Sequence, residues 1–223
     1  MISFLTSLAF VVLAEMGDKT QLLAMAFATK FPWQTVMWGV FMATVFNHLT
    51  AVLVGNYLTT FFPMHYIHLL ASLSFILFGL WTIRGDKLNG EDKDTKYSPF
   101  WTVAIAFFIA EMGDKTQLAT IALAAQFNTV IPVWLGTTAG MMVADGIGII
   151  IGIVLGKRIP ERTVKWFAAI IFIIFGLAGL CQCTPPEYLT TKSISATIAL
   201  TLLAIYLVNR YSNNVCTVTN DNL

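Results

Sequence analysis

Hydrophobic residues fall in long blocks along most of the chain, separated by short polar or proline-containing breaks. A membrane-spanning helix needs about 20 consecutive apolar residues. The blocks predict helices over residues 3–29, 34–60, 66–84, 99–125, 131–156 and 163–183. A last apolar run, Ile194 to Val208, lies between Lys192 and Arg210 and predicts a seventh helix over 194–209, of marginal length for crossing. Basic residues divide unevenly between the loops. If the first helix starts outside, one face collects Lys30, Arg84, Lys87, Lys93, Lys96, Lys157, Arg158, Arg162 and Lys165, and Arg210 if a seventh helix crosses. The opposite face has only Lys192. Positive charge marks the cytoplasmic side. The N-terminus is therefore expected outside, and the 85–98 linker, with four acids and three lysines, in the cytoplasm.

Composition narrows the class further. Of 223 residues, 57% are hydrophobic and 11% charged, against roughly 25% charged in soluble domains. Mean hydropathy is +0.75. A soluble enzyme with a solvated shell, a disordered regulator and a nucleic-acid binder are all excluded, and a net charge of +1 offers no field for acidic partners. The start, Met1-Ile2-Ser3-Phe4-Leu5, lacks a basic stretch, so the first helix is expected to be its own insertion signal rather than a cleaved peptide. Cys181, Cys183 and Cys216 have neither the number of a disulfide framework nor zinc-site spacing, and read as bystanders.

The most informative pattern is an internal repeat. Residues 14–22 read AEMGDKTQL, and residues 110–118 read the same nine letters. With a one-residue slip, Gly39, Ala43, Gly55 and Phe78-Gly79-Leu80 match Gly136, Gly140, Gly152 and Phe175-Gly176-Leu177. Helices 1–3 and 4–6 thus read as copies. Three is an odd number of crossings, so the second copy must lie upside down relative to the first, as in transporters with a shared midplane site. The expected protein is an all-α integral membrane protein of two inverted three-helix repeats. Repeat 1 would occupy 1–84, the linker 85–98, repeat 2 residues 99–183, and a C-terminal extension 184–223.

Both copies of the motif fall near the middle of their predicted helices. An ionisable group there costs at least about 2.5–3.5 kcal/mol on insertion scales, yet each copy carries three: Glu15, Asp18 and Lys19, then Glu111, Asp114 and Lys115. In an unbroken helix, i, i+3 spacing stacks Glu15, Asp18 and Gln21 on one face, and likewise Glu111, Asp114 and Gln117. A pseudo-twofold axis would bring four carboxylates and two amides to one point. Four such carboxylates repel one another unless cations lie among them. Lys19 and Lys115 can pair with Glu15 and Glu111 at i, i+4, and the remaining oxygen-rich cage suits a hard divalent cation such as Ca²⁺, Mn²⁺ or Mg²⁺. Protons can replace the metal on the same oxygens, which is the physical core of metal/proton exchange. The bland alternative, salt bridges used as glue, spends charge twice where apolar contacts would serve as well. Gly17 and Gly113 allow close helix approach or local unwinding.

The doubled E-M-G-D-K-T resembles the Glu-x-Gly-Asp-(Lys/Arg)-(Thr/Ser) signature of the GDT-type cation/proton exchangers, a family that includes bacterial manganese exporters and Golgi Ca²⁺/Mn²⁺–H⁺ exchangers. The resemblance covers about residues 1–183. It implies Glu15, Asp18, Glu111 and Asp114 as cation ligands and proton sites, and a bacterial plasma membrane as the setting.

Other polar positions are weighed individually. The repeat places His48 of helix 2 opposite Asp145 of helix 5. Asp145 reads as a ligand, a partner behind the ligands or a proton relay, and His48 as a relay or a satisfied buried histidine. Asn47 is expected to face the cavity. Thr20 and Thr116 are expected to bond back to their own helix, with donation to the cage as the alternative. His65 and His68 read as a solvated helix edge. Trp33, Trp38, Trp101 and Trp134 read as interface anchors. Met16 and Met112 are expected to pack against lipid or core, because only unwinding at the glycines would turn them inward.

The expected function is export of a divalent cation, Mn²⁺ first and Ca²⁺ second, from the cytoplasm in exchange for protons. Mn²⁺ and Ca²⁺ enter as cargo, so no resident cofactor is expected, and no enzyme chemistry. Two other classes compete. A passive cation channel would also show midplane acids, although two lysines among them oppose conduction. An intramembrane hydrolase would need a nucleophile or lipid-headgroup site, which the sequence does not offer.

Overall fold

The computed structural model describes residues 1–84, 97–150, 161–185, 187 and 190–220. These form helices joined by short turns, with no strand among the described residues. In chain order the helices are α1 (Ile2–Glu15), α2 (Lys19–Lys30), α3 (Trp33–Phe61), α4 (Met64–Arg84), α5 (Pro99–Glu111), α6 (Lys115–Phe127), α7 (Ile131–Ile149), α8 (Glu161–Cys183) and α9 (Thr191–Asn220). Among the described residues, four stretches are long and apolar enough to cross a bilayer: Trp33–Phe61, Met64–Arg84, Trp166–Cys183 and Lys192–Arg210. The chain is an all-α, multi-pass membrane protein.

The main departure from the sequence reading lies at the repeated motif. The helices expected over 3–29 and 99–125 are each broken in the middle, giving the short pairs α1/α2 and α5/α6. The final helix is longer than 194–209, running Thr191–Asn220. The tail of the helix expected over 131–156 and nearly all of the 85–98 linker lie outside the described residues.

Two short helices followed by two long ones is the order of both halves. The halves interlock: α1 packs on α7 as α5 packs on α3, α2 on α7 as α6 on α3, and α4 meets α8. The matched glycines explain how close these helices come. A Cβ added at Gly39 of α3 would lie 2.8 Å from Val103 of α5, and one at Gly140 of α7 would lie 2.8 Å from the Leu8 carbonyl of α1. Gly79 and Gly176 do the same for α4 and α8, where an added Cβ would meet Ile173 at 2.7 Å and Ile76 at 2.6 Å. In lipid, helices associate through van der Waals contact rather than apolar burial, and small residues permit it.

Two apolar clusters flank the centre. One joins Phe10, Phe75, Phe78 and Phe172, with Phe10 and Phe172 edge to face at a centroid distance of 4.5 Å. The other joins Leu23, Phe27, Val36, Val40, Val103 and Phe107. Trp33, Trp38 and Trp101 are exposed, as interface anchors should be. Trp134 is different: it packs against the first cluster and its Nε1 donates to the Val45 carbonyl of α3 at 3.0 Å.

Candidate metal centre

The break between α1 and α2 is a β-turn. Met16 has φ −59° and ψ 117°, Gly17 has φ 75°, and the Asp18 N–H donates to the Glu15 carbonyl at 3.0 Å. These are the features of a type II turn, whose third residue needs positive φ and is therefore usually glycine. The second copy repeats it: Met112 at φ −67° and ψ 116°, Gly113 at φ 77°, and Asp114 N–H to the Glu111 carbonyl at 3.1 Å. Each turn puts a Glu at the C-terminal end of one half-helix and an Asp at the N-terminus of the next. Neither aspartate spends its carboxylate on capping that helix.

The glutamines seal the turns instead. Gln21 Oε1 accepts the Gly17 N–H at 2.8 Å, and Gln117 Oε1 accepts the Gly113 N–H at 2.7 Å. Their amide nitrogens then reach the crossing helix. Gln21 Nε2 donates to the Ala144 carbonyl of α7 at 2.6 Å, and Gln117 Nε2 donates to Asn47 Oδ1 of α3 at 3.3 Å. Asn47 in turn donates to the Phe108 carbonyl at 3.2 Å. The amide oxygens expected in the cage are thus occupied by backbone. Sequence reading missed Gly148, which makes room for the first of these contacts: a Cβ there would lie 2.5 Å from Gln21 Cγ. Its signal was available, since the repeat offset sets Gly148 opposite Ala51.

The two turns bring their acids together in the protein interior. Glu15, Asp18 and Asp114, all buried, each offer an oxygen, and these oxygens lie within 4.8 Å of one another. They come together through the turns, not along one face of a continuous helix. Glu111 is buried and within electrostatic reach of all three, but is not part of that close trio. Asp145 of α7 is also buried and near Glu15 and Asp18.

Hydrogen bonds anchor part of the set. Thr20 Oγ1 donates to Glu15 Oε2 at 2.6 Å, and Thr116 Oγ1, from the other half, donates to Glu15 Oε1. Both hydroxyls therefore serve the site rather than their own helix backbone. Lys115 is 1% exposed, and its Nζ lies 2.6 Å from Asp18 Oδ1. Glu111, expected to pair with Lys115 at i, i+4, accepts no hydrogen bond, and the turn between the two removes the helical register. Lys19 is half-buried and acts electrostatically on Asp114. Among the described residues, Asp18 Oδ2, Asp114 Oδ2, both oxygens of Glu111, both of Asp145 and both ring nitrogens of buried His48 make no hydrogen bond. Buried polar atoms are rarely left so. Hard oxygen donors converging without partners are what a divalent cation requires.

The remaining candidates lie elsewhere. Met112 is 58% exposed, and Met16 touches Gln21 Nε2 at 3.6 Å, so unwinding does not bring either sulfur into the trio. His65 is exposed and His68 half-buried. Cys181 and Cys183 are free thiols, and Cys216 lies where no side chain is described.

Residues 3–90 and 99–187 match the family described as divalent cation/proton antiporter GDT1. The chain belongs to the GDT1 family. Its relatives include a candidate manganese exporter of Vibrio cholerae, 34% identical over 174 residues that cover 77% of this chain and 87% of that one. A GDT1-like protein of Synechocystis is 31% identical, covering 79% of this chain and 96% of its own length. GDT1-like protein 5 of Arabidopsis thaliana is 28% identical, covering 79% and 94%. No solved structure matches. Each of the two matched segments contains one complete turn motif. GDT1 is a family of divalent cation/proton antiporters, and membership in it makes divalent cations and protons the substrates of this protein.

Proposed function

We propose that this protein exports a divalent cation, Mn²⁺ in preference to Ca²⁺, from the bacterial cytoplasm across the plasma membrane in exchange for protons. The observation that carries the reading is the buried trio Glu15, Asp18 and Asp114, with oxygens from both halves within 4.8 Å. Glu111 completes the ligand set, and Asp145, His48 and Asn47 line the route of protons to it. All-oxygen donors suit Mn²⁺ and Ca²⁺ alike, and the Vibrio cholerae relative favours manganese.

The cycle follows from the chemistry of the carboxylates. Open to the cytoplasm, they exchange protons for metal. The two halves, read as inverted repeats with the N-terminus outside, then rock about the midplane. Outside, protons displace the metal. Proton entry down its gradient drives the export.

The test is reconstitution into proteoliposomes containing a pH-sensitive dye, with Mn²⁺, Ca²⁺, Mg²⁺ and Zn²⁺ added in turn. Wild type should move protons against Mn²⁺, and Glu15→Gln and Asp114→Asn should fall to the empty-liposome background. Lowering pH on the metal-loading side should raise the apparent KM for Mn²⁺, because protons compete for the same oxygens. Metal flux without counter-movement of protons would instead establish a channel.

A further inference from the structure

The two motifs are identical in sequence, but their lysines are not equivalent in structure. Lys115 is buried and reaches across to the other half, 2.6 Å from Asp18 Oδ1, while Lys19 is half-buried. Lys115 also lies within electrostatic reach of Glu15 and Asp114, so its ammonium group acts on every member of the trio. No other cation among the described residues is placed this way. Buried carboxylates without a counter-charge are costly, and here the counter-charge comes from the chain itself.

We propose that Lys115 is a tethered cation that occupies the carboxylate trio when no metal is bound, and that an incoming divalent cation must displace it from Asp18. This inference rests on the reading of the trio as the metal site. Asp18 Oδ2 is open to a metal ion, but an ammonium group left 2.6 Å from Oδ1 of the same carboxylate would lie so near that ion that their charges repel strongly. Lysine suits the task, since its charge is compact and sits on a flexible four-carbon stem that can swing aside and return. An internal competitor of this kind weakens metal binding and speeds release. Plain structural glue predicts the opposite sign, because removing glue loosens the site and weakens binding.

The experiment measures Mn²⁺ binding calorimetrically on the full chain in detergent, with thermal melting in the presence and absence of Mn²⁺. Exchange in proteoliposomes is followed in parallel. Lys115→Gln should bind Mn²⁺ about tenfold tighter or more, with both KM and kcat lowered because release becomes slow. Mn²⁺ should also raise its melting temperature more than it raises that of wild type. Lys115→Arg should restore weaker binding by restoring the charge, and Lys19→Gln, which removes a charge acting on Asp114 from a half-buried position, should tighten binding by less than Lys115→Gln does. Equal or weaker binding by Lys115→Gln overturns the proposal. So does a Lys115→Gln chain that fails to fold even when purified in Mn²⁺, since the lysine is then structural. Wild type that binds neither Mn²⁺ nor Ca²⁺ would refute the metal-site reading itself, an outcome distinct from the first two.

Discussion

At the scale of single residues, the site depends on two glycines in a backbone conformation that other residues resist. Gly17 and Gly113 have φ of 75° and 77°, where a Cβ costs roughly 1–2 kcal/mol. Gly113 offers the cleaner test, because an added Cβ would meet nothing within 4 Å. Gly113→Ala should lower the melting temperature in detergent by roughly 2–8 °C, and Gly113→Asn by clearly less, since asparagine tolerates positive φ better. Equal losses would remove turn strain as the cause. Much of this turn was legible in advance. Met-Gly-Asp spells a type II turn, and Asp18-Lys19-Thr20-Gln21 has the acid-x-x-Gln pattern that opens a helix. The length of the apolar block outweighed those signs. Donation by the threonines to the cage was legible only as an alternative to bonding their own helix, because Thr116 meets Glu15 across 101 residues of sequence, which no local rule supplies.

At the scale of elements, Gln21 ties the break between α1 and α2 to α7, and Gly148 gives it space. Gly148→Ala would press on Gln21 Cγ at 2.5 Å and Cδ at 3.0 Å, at a cost of about 1–3 kcal/mol for overpacking. In a Gln21→Ala background most of that cost should disappear, giving a coupling of about 1 kcal/mol or more in a double-mutant cycle. Additive losses would show that the two residues act independently. Asp145 neighbours this tie, one residue beyond the Ala144 carbonyl that Gln21 holds. Asp145→Asn should therefore weaken Mn²⁺-coupled exchange by about 10–100-fold while leaving the melting temperature close to wild type.

At the scale of the whole molecule, the matched segments end at residue 187, and α9 follows. That helix packs chiefly on α4 and touches none of the site elements closely. A chain ending at residue 190 should keep Mn²⁺-coupled proton movement within about twofold of the full chain, and a loss of exchange would assign α9 to the machinery. One repeated nonapeptide made it readable that the two halves share a helix order, but not that each half has four helices among the described residues where three were expected. The crossed packing of the halves was not readable either, because it rests on tertiary contacts at Gly39, Gly79, Gly140 and Gly176. The two halves also differ in a way that the repeat alone conceals: Gly17 is buried and Gly113 exposed. Each of these residues has an amide hydrogen held by a glutamine side chain and not by the helical ladder. Such a hydrogen exchanges with deuterium whenever its glutamine lets go. The two amides therefore act as built-in clocks, one for each half, and in this arrangement the clock at Gly113 should run faster.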